Sequence, residues 1–231
     1  MKRLPYITLS LAALATLIHF GGLDQTLQWT RQTPNGTAAL LFHWLTIFTS
    51  HFTHWHTEHF LWNCLTLIAL GSMVEQRTRI GLVTCVVLSS IAITALVQIG
   101  APQLIAYRGL SGIDSGLFVM AALLMMSRAK TSTAATVPAV ALAAFIGKAV
   151  YECTTGKLLF VAPNGFAPCP LAHIAGGAVG LLIVTGWWLK RYCLSQIVQL
   201  SKCINDVTTS PTRRAKNNRA AQLRSSHLKR V

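Results

Sequence analysis

The sequence predicts an all-α fold, a polytopic membrane protein with a bundle of six transmembrane helices. Of its 231 residues, 52% are hydrophobic and only 11% are charged, against about 25% charged in a typical soluble protein. Such a chain has too few polar residues to cover a water-facing surface, which argues against a soluble enzyme. Its uncharged runs approach the ~20 residues that a helix needs to cross a hydrocarbon core of about 30 Å.

Each predicted span follows one of these apolar runs, shortened at polar ends and at Pro or Gly breaks. The six spans are residues 4–22, 55–74, 80–100, 110–127, 134–151 and 171–189. We interpret the first as a retained span and not as a cleaved signal peptide, because its run is long and lacks a convincing small-x-small cleavage site.

The basic residues orient these spans. Lys and Arg accumulate on the cytoplasmic side of membrane proteins. With the N-terminus inside, that side carries sixteen of the 20 Lys and Arg, ten of them after residue 189. We therefore expect residues 1–194 to form the six-helix domain, with both termini cytoplasmic.

Two segments outside the spans have distinctive compositions. Residues 195–231 are basic and polar, cannot support a core, and are expected to be a disordered tail. Attraction to anionic lipid accounts for the charge of this tail, so no nucleic-acid partner is expected. The connection 23–54 is rich in aromatic residues, among them Trp44 and Phe48, which predicts a loop lying in the membrane interface.

Polar side chains lie at one depth in three predicted spans that run in the same direction. Ser111, His173, His59 and Asn63 each precede the charged inner end of their span by 14 to 18 residues. At ~1.5 Å per residue, they lie roughly 21–27 Å above the inner boundary, somewhat below the outer surface. Ionisable and polar groups at such depth usually mark function.

Small residues next to this serine and histidine favour close helix packing. Gly112 and Gly116 follow Ser111, while Gly176 and Gly180 follow His173, and small-xxx-small pairs let membrane helices approach closely. A hydroxyl becomes a good nucleophile when an adjacent base takes its proton. The pattern therefore favours an acyl-transfer site over a mere packing device.

The motifs that carry these residues resemble those of the rhomboid intramembrane serine proteases. The matching segments are His54-x4-His59-x3-Asn63, Gly71-Ser72-Met73-Val74-Glu75, Gly109-Leu110-Ser111-Gly112, and Ala172-His173 with Gly176 and Gly180. The resemblance covers roughly residues 40–190 and implies a six-helix rhomboid-like bundle in the bacterial inner (cytoplasmic) membrane. The sequence also resembles the rhombosortases, a rhomboid subgroup that trims C-terminal sorting tails.

The resemblance implies a role for each matched residue. Ser111 would be the nucleophile and His173 its general base, in a dyad that uses no cofactor or metal. His59, Asn63 and the backbone N–H of Ser111 would form the oxyanion hole. His54 would be structural or water-organising, and Glu75 would be structural. The substrates would be transmembrane segments of membrane proteins, cut near the outer face.

Two positions depart from the family pattern. The first loop reads Trp44-Leu45-Thr46, where a Trp-Arg pair is often found. Ser115 stands where an aromatic residue often packs on the catalytic histidine.

Two other functions remain as alternatives. His51, His54, His56 and His59 form an HxxHxHxxH pattern, and imidazole is a common metal ligand, so a histidine-rich metal-binding or transport protein is one alternative. The other is a catalytically inactive rhomboid-like scaffold that binds membrane helices.

Two features stay open at this stage. Asp114, three positions after Ser111, is either a buried acid satisfied locally or a third catalytic member that orients His173. Cys153 and Cys169 bracket the last outer loop, which contains Pro163, Pro168 and Pro170. They are either free thiols or a disulfide that stiffens a cap over the site.

Overall fold

The computed structural model describes residues 4–157, 159 and 169–209. Within them the chain is almost entirely helical. The helices are α1 (Tyr6–Phe20), α2 (Asp24–Leu27), α3 (Thr37–Thr49), α4 (Thr57–Thr66), α5 (Ser72–Glu75), α6 (Arg79–Gly100), α7 (Ser111–Met126), α8 (Ser132–Thr155) and α9 (Pro170–Thr209). A 3-10 turn spans Ser50–Phe52, a π-helical segment Leu67–Gly71 joins α4 to α5, and two short strands are β1 (Trp29–Thr30) and β2 (Ala106–Tyr107).

Every predicted span corresponds to a helical segment. In the described part of the chain, three helices are long and apolar enough to cross a membrane: Arg79–Gly100, Ser132–Thr155 and Pro170–Asn205. Tyr6–Phe20 and Ser111–Met126 are shorter apolar helices, and the second predicted span is divided into α4, the π-helical segment and α5. The all-α membrane fold is thus confirmed, while the number of six crossings stays a prediction.

The connection 23–54 contains more regular structure than the sequence suggested. The expected interfacial loop contains α3, whose side chains Leu41, Trp44 and Leu45 are exposed. Strand β1 pairs with β2 in antiparallel register, Trp29 opposite Tyr107. The Arg31 guanidinium donates to the carbonyl oxygens of Gln98, Val97 and Ala101 at 2.7–3.0 Å. Because these carbonyls lie in the last turn of α6 and directly after it, the Arg31 guanidinium caps α6 and holds the connection in place.

Glu75, at the end of α5, fastens that helix to the start of α1. Its carboxylate accepts hydrogen bonds from the backbone N–H groups of Ile7 and Thr8, at 3.1 and 2.8 Å, and from the Thr8 hydroxyl, at 2.8 Å. These amides belong to the first turn of α1, where a carboxylate also complements the helix dipole. Glu75 is 4% exposed, so the structural role expected for it is confirmed.

Helix α7 is the central helix of the bundle. Most of its residues are buried, and its backbone meets that of α9 at the predicted glycines. A methyl group at Gly116 would lie 2.8 Å from the carbonyl oxygen of Gly176. Methyl groups at Gly176 and Gly180 would overlap the carbonyls of Gly112 and Gly116. The close approach predicted from the small-residue pairs is confirmed.

A second unit of the chain begins at Thr185. Its described part is helical as far as Thr209. The prediction of disorder from residue 195 onward is therefore wrong for 195–209, because Ile197, Val198, Leu200 and Ile204 continue an apolar helical pattern. Residues 210–231 of the predicted tail lie outside the described residues.

Candidate active site

A cavity of about 500 Å³ gathers the residues that the depth argument selected. Ser111 from α7, His173 from α9, and His59 and Asn63 from α4 all line it. Three separate helices thus contribute to one half-enclosed site. The structure brings these four residues together in one cavity, as predicted, while their catalytic roles stay predictions.

Ser111 and His173 lie at the starts of two helices in backbone contact. Ser111 is the first residue of α7, and His173 follows Pro170 by three positions in the first turn of α9. Their neighbours touch: a methyl group at Gly112 would lie 2.9 Å from the carbonyl oxygen of Ala172. The contact between α7 and α9 therefore brings the hydroxyl and the imidazole to the same wall of the cavity.

The second pair of residues offers hydrogen-bond donors to this wall. Asn63 is 8% exposed, and among the described residues nothing accepts a hydrogen bond from its buried amide Nδ2. An unpaired buried donor costs free energy, so its retention beside the cavity points to a ligand acceptor. His59 lies one helical turn earlier on the same face of α4.

Gly109 makes room for these donors. Its φ of +125° is a conformation that side chains rarely adopt, and a methyl group there would lie 2.9 Å from Cε1 of His59 and 3.7 Å from Nδ2 of Asn63. Its carbonyl accepts a hydrogen bond from the hydroxyl of Tyr107 at 3.2 Å. Burial raises the pKa of Tyr107 well above its usual range, so this hydroxyl stays protonated and can donate.

The other histidines of the HxxHxHxxH pattern have separate positions. His54 is 1% exposed and packs edge-on against the His59 ring, with ring centroids 5.3 Å apart. His56 caps α4 by accepting the backbone N–H of His59 at 3.3 Å, and His51 lies 3.3 Å from the carbonyl oxygen of Ser90. Within residues 4–157, 159 and 169–209, no group of three or more His, Cys, Asp or Glu has an arrangement that could hold a metal ion.

The sequence did not single out the acid that contacts His173. Nδ1 of His173 lies 3.1 Å from Oε2 of Glu152, a residue of the last turn of α8 whose side chain is fully buried. Lys148, one turn earlier on α8, lies 2.7 Å from the same oxygen. The available signal was two opposite charges, spaced i, i+4, at the C-terminal end of an otherwise apolar predicted span.

Asp114 does not serve as the third catalytic member that the sequence left open. Neither of its carboxylate oxygens has a hydrogen-bond partner within the described part of the chain, while Nδ1 of His173 is in contact with Glu152. Three residues turn a helix by about 300°, so Asp114 lies roughly 60° around α7 from Ser111. There it is buried, 5% exposed, and is not among the residues that line the cavity.

The remaining expectations concern the loop between Cys153 and Cys169, and Ser115 on α7. Cys153 and Cys169 are both free thiols, so the free-thiol alternative is the one found. Pro163 and Pro168 of the same loop lie outside the described residues. Ser115, which replaces an aromatic of the family pattern, donates to the carbonyl of Ser111 at 2.8 Å.

This fold and site define an integral membrane protein with a serine, a histidine and amide donors in a cavity among its helices. The chain matches the Rhomboid domain over residues 41–190 and belongs to the rhomboid family. That family consists of serine intramembrane proteases and also includes inactive forms. The resemblance seen in the motifs is confirmed, while the rhombosortase subgroup stays a prediction. No curated protein matches the chain.

Proposed function

We propose that this protein is an intramembrane serine endopeptidase that uses Ser111 as nucleophile and His173 as general base. The observation that carries the proposal is the convergence of Ser111, His173, His59 and Asn63 on one cavity. The hydroxyl, the imidazole and the amide are the three kinds of group that acyl transfer to a serine requires.

The chemistry assigns one step to each group. His173 accepts the proton of the Ser111 hydroxyl as Oγ bonds to the scissile carbonyl carbon. The carbonyl oxygen becomes an oxyanion, stabilised by Nδ2 of Asn63, by His59 and by the backbone N–H of Ser111. His173 then gives the proton to the leaving amine, and water hydrolyses the acyl-enzyme by the same route.

The substrates we propose are transmembrane segments of other membrane proteins, cut near the outer face. Trp55 and Trp62 line the cavity, and the position of Trp55 at the start of the second predicted span suits the headgroup level. A substrate helix would enter laterally from the lipid and unwind locally. With both termini cytoplasmic, as the basic residues favour, the basic C-terminal segment would lie against anionic lipid of the inner (cytoplasmic) membrane of a bacterium.

Cleavage of a reporter transmembrane substrate in reconstituted vesicles tests this function. We expect wild-type protein to cleave it and Ser111→Ala and His173→Ala to lose cleavage. The matched controls Ser127→Ala, at the far end of α7, and His43→Ala, on α3, should retain it. Full cleavage by Ser111→Ala would overturn the proposal.

Two further arms separate the alternative functions. Cleavage that disappears with a chelator and returns with a divalent metal would favour the histidine-rich metal protein instead. Tight binding of the substrate helix without cleavage by the wild-type protein would favour an inactive scaffold.

A further inference from the structure

The carboxylate of Glu152, a residue that lines the cavity, is held by three groups. Its Oε2 lies 2.7 Å from Nζ of Lys148 and 3.1 Å from Nδ1 of His173, and its Oε1 accepts the backbone N–H of Leu159 at 3.0 Å. The backbone is fixed as well, because the N–H of Gly156 donates to the Glu152 carbonyl at 3.0 Å and closes α8. The acid therefore presents one oxygen to His173 in a fixed direction.

A general base at His173 needs a particular ring tautomer. A neutral imidazole carries one ring proton, and only the nitrogen without it can accept the serine proton. If Nδ1 holds the proton, Nε2 is bare and available to Ser111. If Nε2 holds it, the ring cannot act as the base.

The two charged neighbours of Nδ1 favour opposite tautomers. A carboxylate only accepts hydrogen bonds, so Glu152 favours a proton on Nδ1, whereas an ammonium only donates, so Lys148 would favour a bare Nδ1. Nζ of Lys148 is 3.3 Å from Nδ1 but 2.7 Å from the Glu152 oxygen. Lys148 is thus committed to the carboxylate, and the carboxylate is the nearer partner of the ring.

We propose that Glu152 is a positioning residue that completes a Ser111–His173–Glu152 triad, with Lys148 keeping the acid ionised and oriented. This proposal rests on the protease function proposed above. Glu152 holds Nδ1–H while Nε2 takes the proton from Oγ of Ser111 and passes it to the leaving amine. The carboxylate stabilises the imidazolium formed in between and takes up no proton itself.

The tautomer of His173 can be measured without catalysis. In full-length protein labelled with ¹⁵N-histidine and placed in nanodiscs, ring nitrogen shifts distinguish protonated from bare nitrogens, and comparison with His173→Ala assigns the signal. We expect the neutral ring of the wild type to carry its proton on Nδ1. In Glu152→Gln, whose amide can donate to Nδ1, we expect the proton to move to Nε2. A bare Nδ1 in the wild type would overturn the proposal, whatever the outcome of the cleavage assay.

Kinetics supply the second readout. Because the interaction strengthens only as the imidazolium forms, Glu152→Gln should lower kcat by about 10²–10⁴-fold and leave KM nearly unchanged. Glu152→Asp, which keeps a carboxylate, should recover part of this loss. The matched control Asp206→Asn, at an acid near the end of α9 more than thirty positions after His173, should remain within about threefold of wild type.

A purely structural role for Glu152 gives a different pattern. In that case the kcat of each variant would fall only in proportion to its folded fraction, measured by thermal unfolding in detergent. Glu152→Asp and Glu152→Gln would then rank by stability and not by charge, and the tautomer of His173 would be unchanged in the folded Gln variant. That combination would overturn the triad and leave the dyad intact. If the wild-type protein showed no cleavage that depends on Ser111, the protease function itself would be contradicted.

Discussion

The carbonyl oxygen of Ala172 occupies the space that a side chain at Gly112 would need, since a methyl group there would lie 2.9 Å from it. Ala172 directly precedes His173, and Gly112 directly follows Ser111. The spacing between Ser111 and His173 is therefore set by a backbone contact between α7 and α9, and the consequences of this contact can be measured.

Gly112→Ala should push α9 away from α7. Inserting a methyl group into a packed contact costs typically 1–3 kcal/mol, and we expect a loss of this size in the free energy of unfolding together with a large loss of cleavage. Gly147→Ala on α8 is the matched control, because nothing lies within 4 Å of the methyl group it adds. That variant should be neutral or slightly more stable. Wild-type cleavage by Gly112→Ala would show that the contact does not set the spacing.

Asn63→Ala removes one donor of the proposed oxyanion hole. Loss of one such donor typically lowers kcat by about 10²–10³-fold, since the nucleophile and base remain. KM should change little, because the donor acts mainly on the oxyanion of the transition state. Steady-state kinetics with the reporter substrate measure both constants, and a variant with raised KM and unchanged kcat would assign Asn63 to substrate binding instead.

The sequence predicted the parts of this site that lie on regular, apolar helices. The depth of Ser111 and His173 could be counted because a helix advances by a constant rise. The contact between Glu152 and His173 could not be predicted in this way, because it is a tertiary contact that depends on how the end of α8 packs beside α9. Asp114 is three positions from Ser111 on α7 but does not line the cavity, because spacing along a helix does not say which neighbour a side chain faces.

The connection 23–54 shows a similar limit. Its aromatic density predicts a loop in the membrane interface and does not predict a helix within it. The helix α3 within it, and its attachment through Arg31 to the end of α6, depend on contacts between residues more than sixty positions apart.

Glu75→Gln should destabilise the protein without changing its chemistry. The carboxylate accepts three hydrogen bonds from the start of α1, and an amide in its place directs an N–H group towards other donors. Leaving such a buried contact unsatisfied costs about 1–3 kcal/mol. Thermal unfolding in detergent should show the loss, while kcat of the folded protein stays at the wild-type value. A fall in kcat at unchanged stability would connect Glu75 to the active site.

The fold should lose stability in mild acid. Burial lowers the pKa of His51 to about 4 and that of His54 to about 3, while an unfolded histidine titrates near 6.5. Below pH ~6.5 the unfolded chain binds more protons than the folded one. The free energy of unfolding therefore decreases as the pH is lowered, until the pH reaches the pKa values of the folded state. The slope approaches about 1.4 kcal/mol per pH unit for each histidine.

Unfolding midpoints between pH 7.5 and 5 test this behaviour. We expect a falling midpoint in the wild type and a flatter profile in the double variant His51→Gln and His54→Gln, compared over the same range. A double variant with the wild-type slope would show that other groups carry the acid sensitivity.

The most direct test of the account is covalent labelling of the proposed nucleophile. Membranes containing the full-length protein are treated with a fluorophosphonate probe, and the labelled peptide is mapped by mass spectrometry. The account predicts a single modification on Ser111, greatly reduced in His173→Ala and preserved in Ser127→Ala. Labelling of another serine, or labelling of Ser111 that is equally fast without His173, would contradict a site in which His173 activates Ser111.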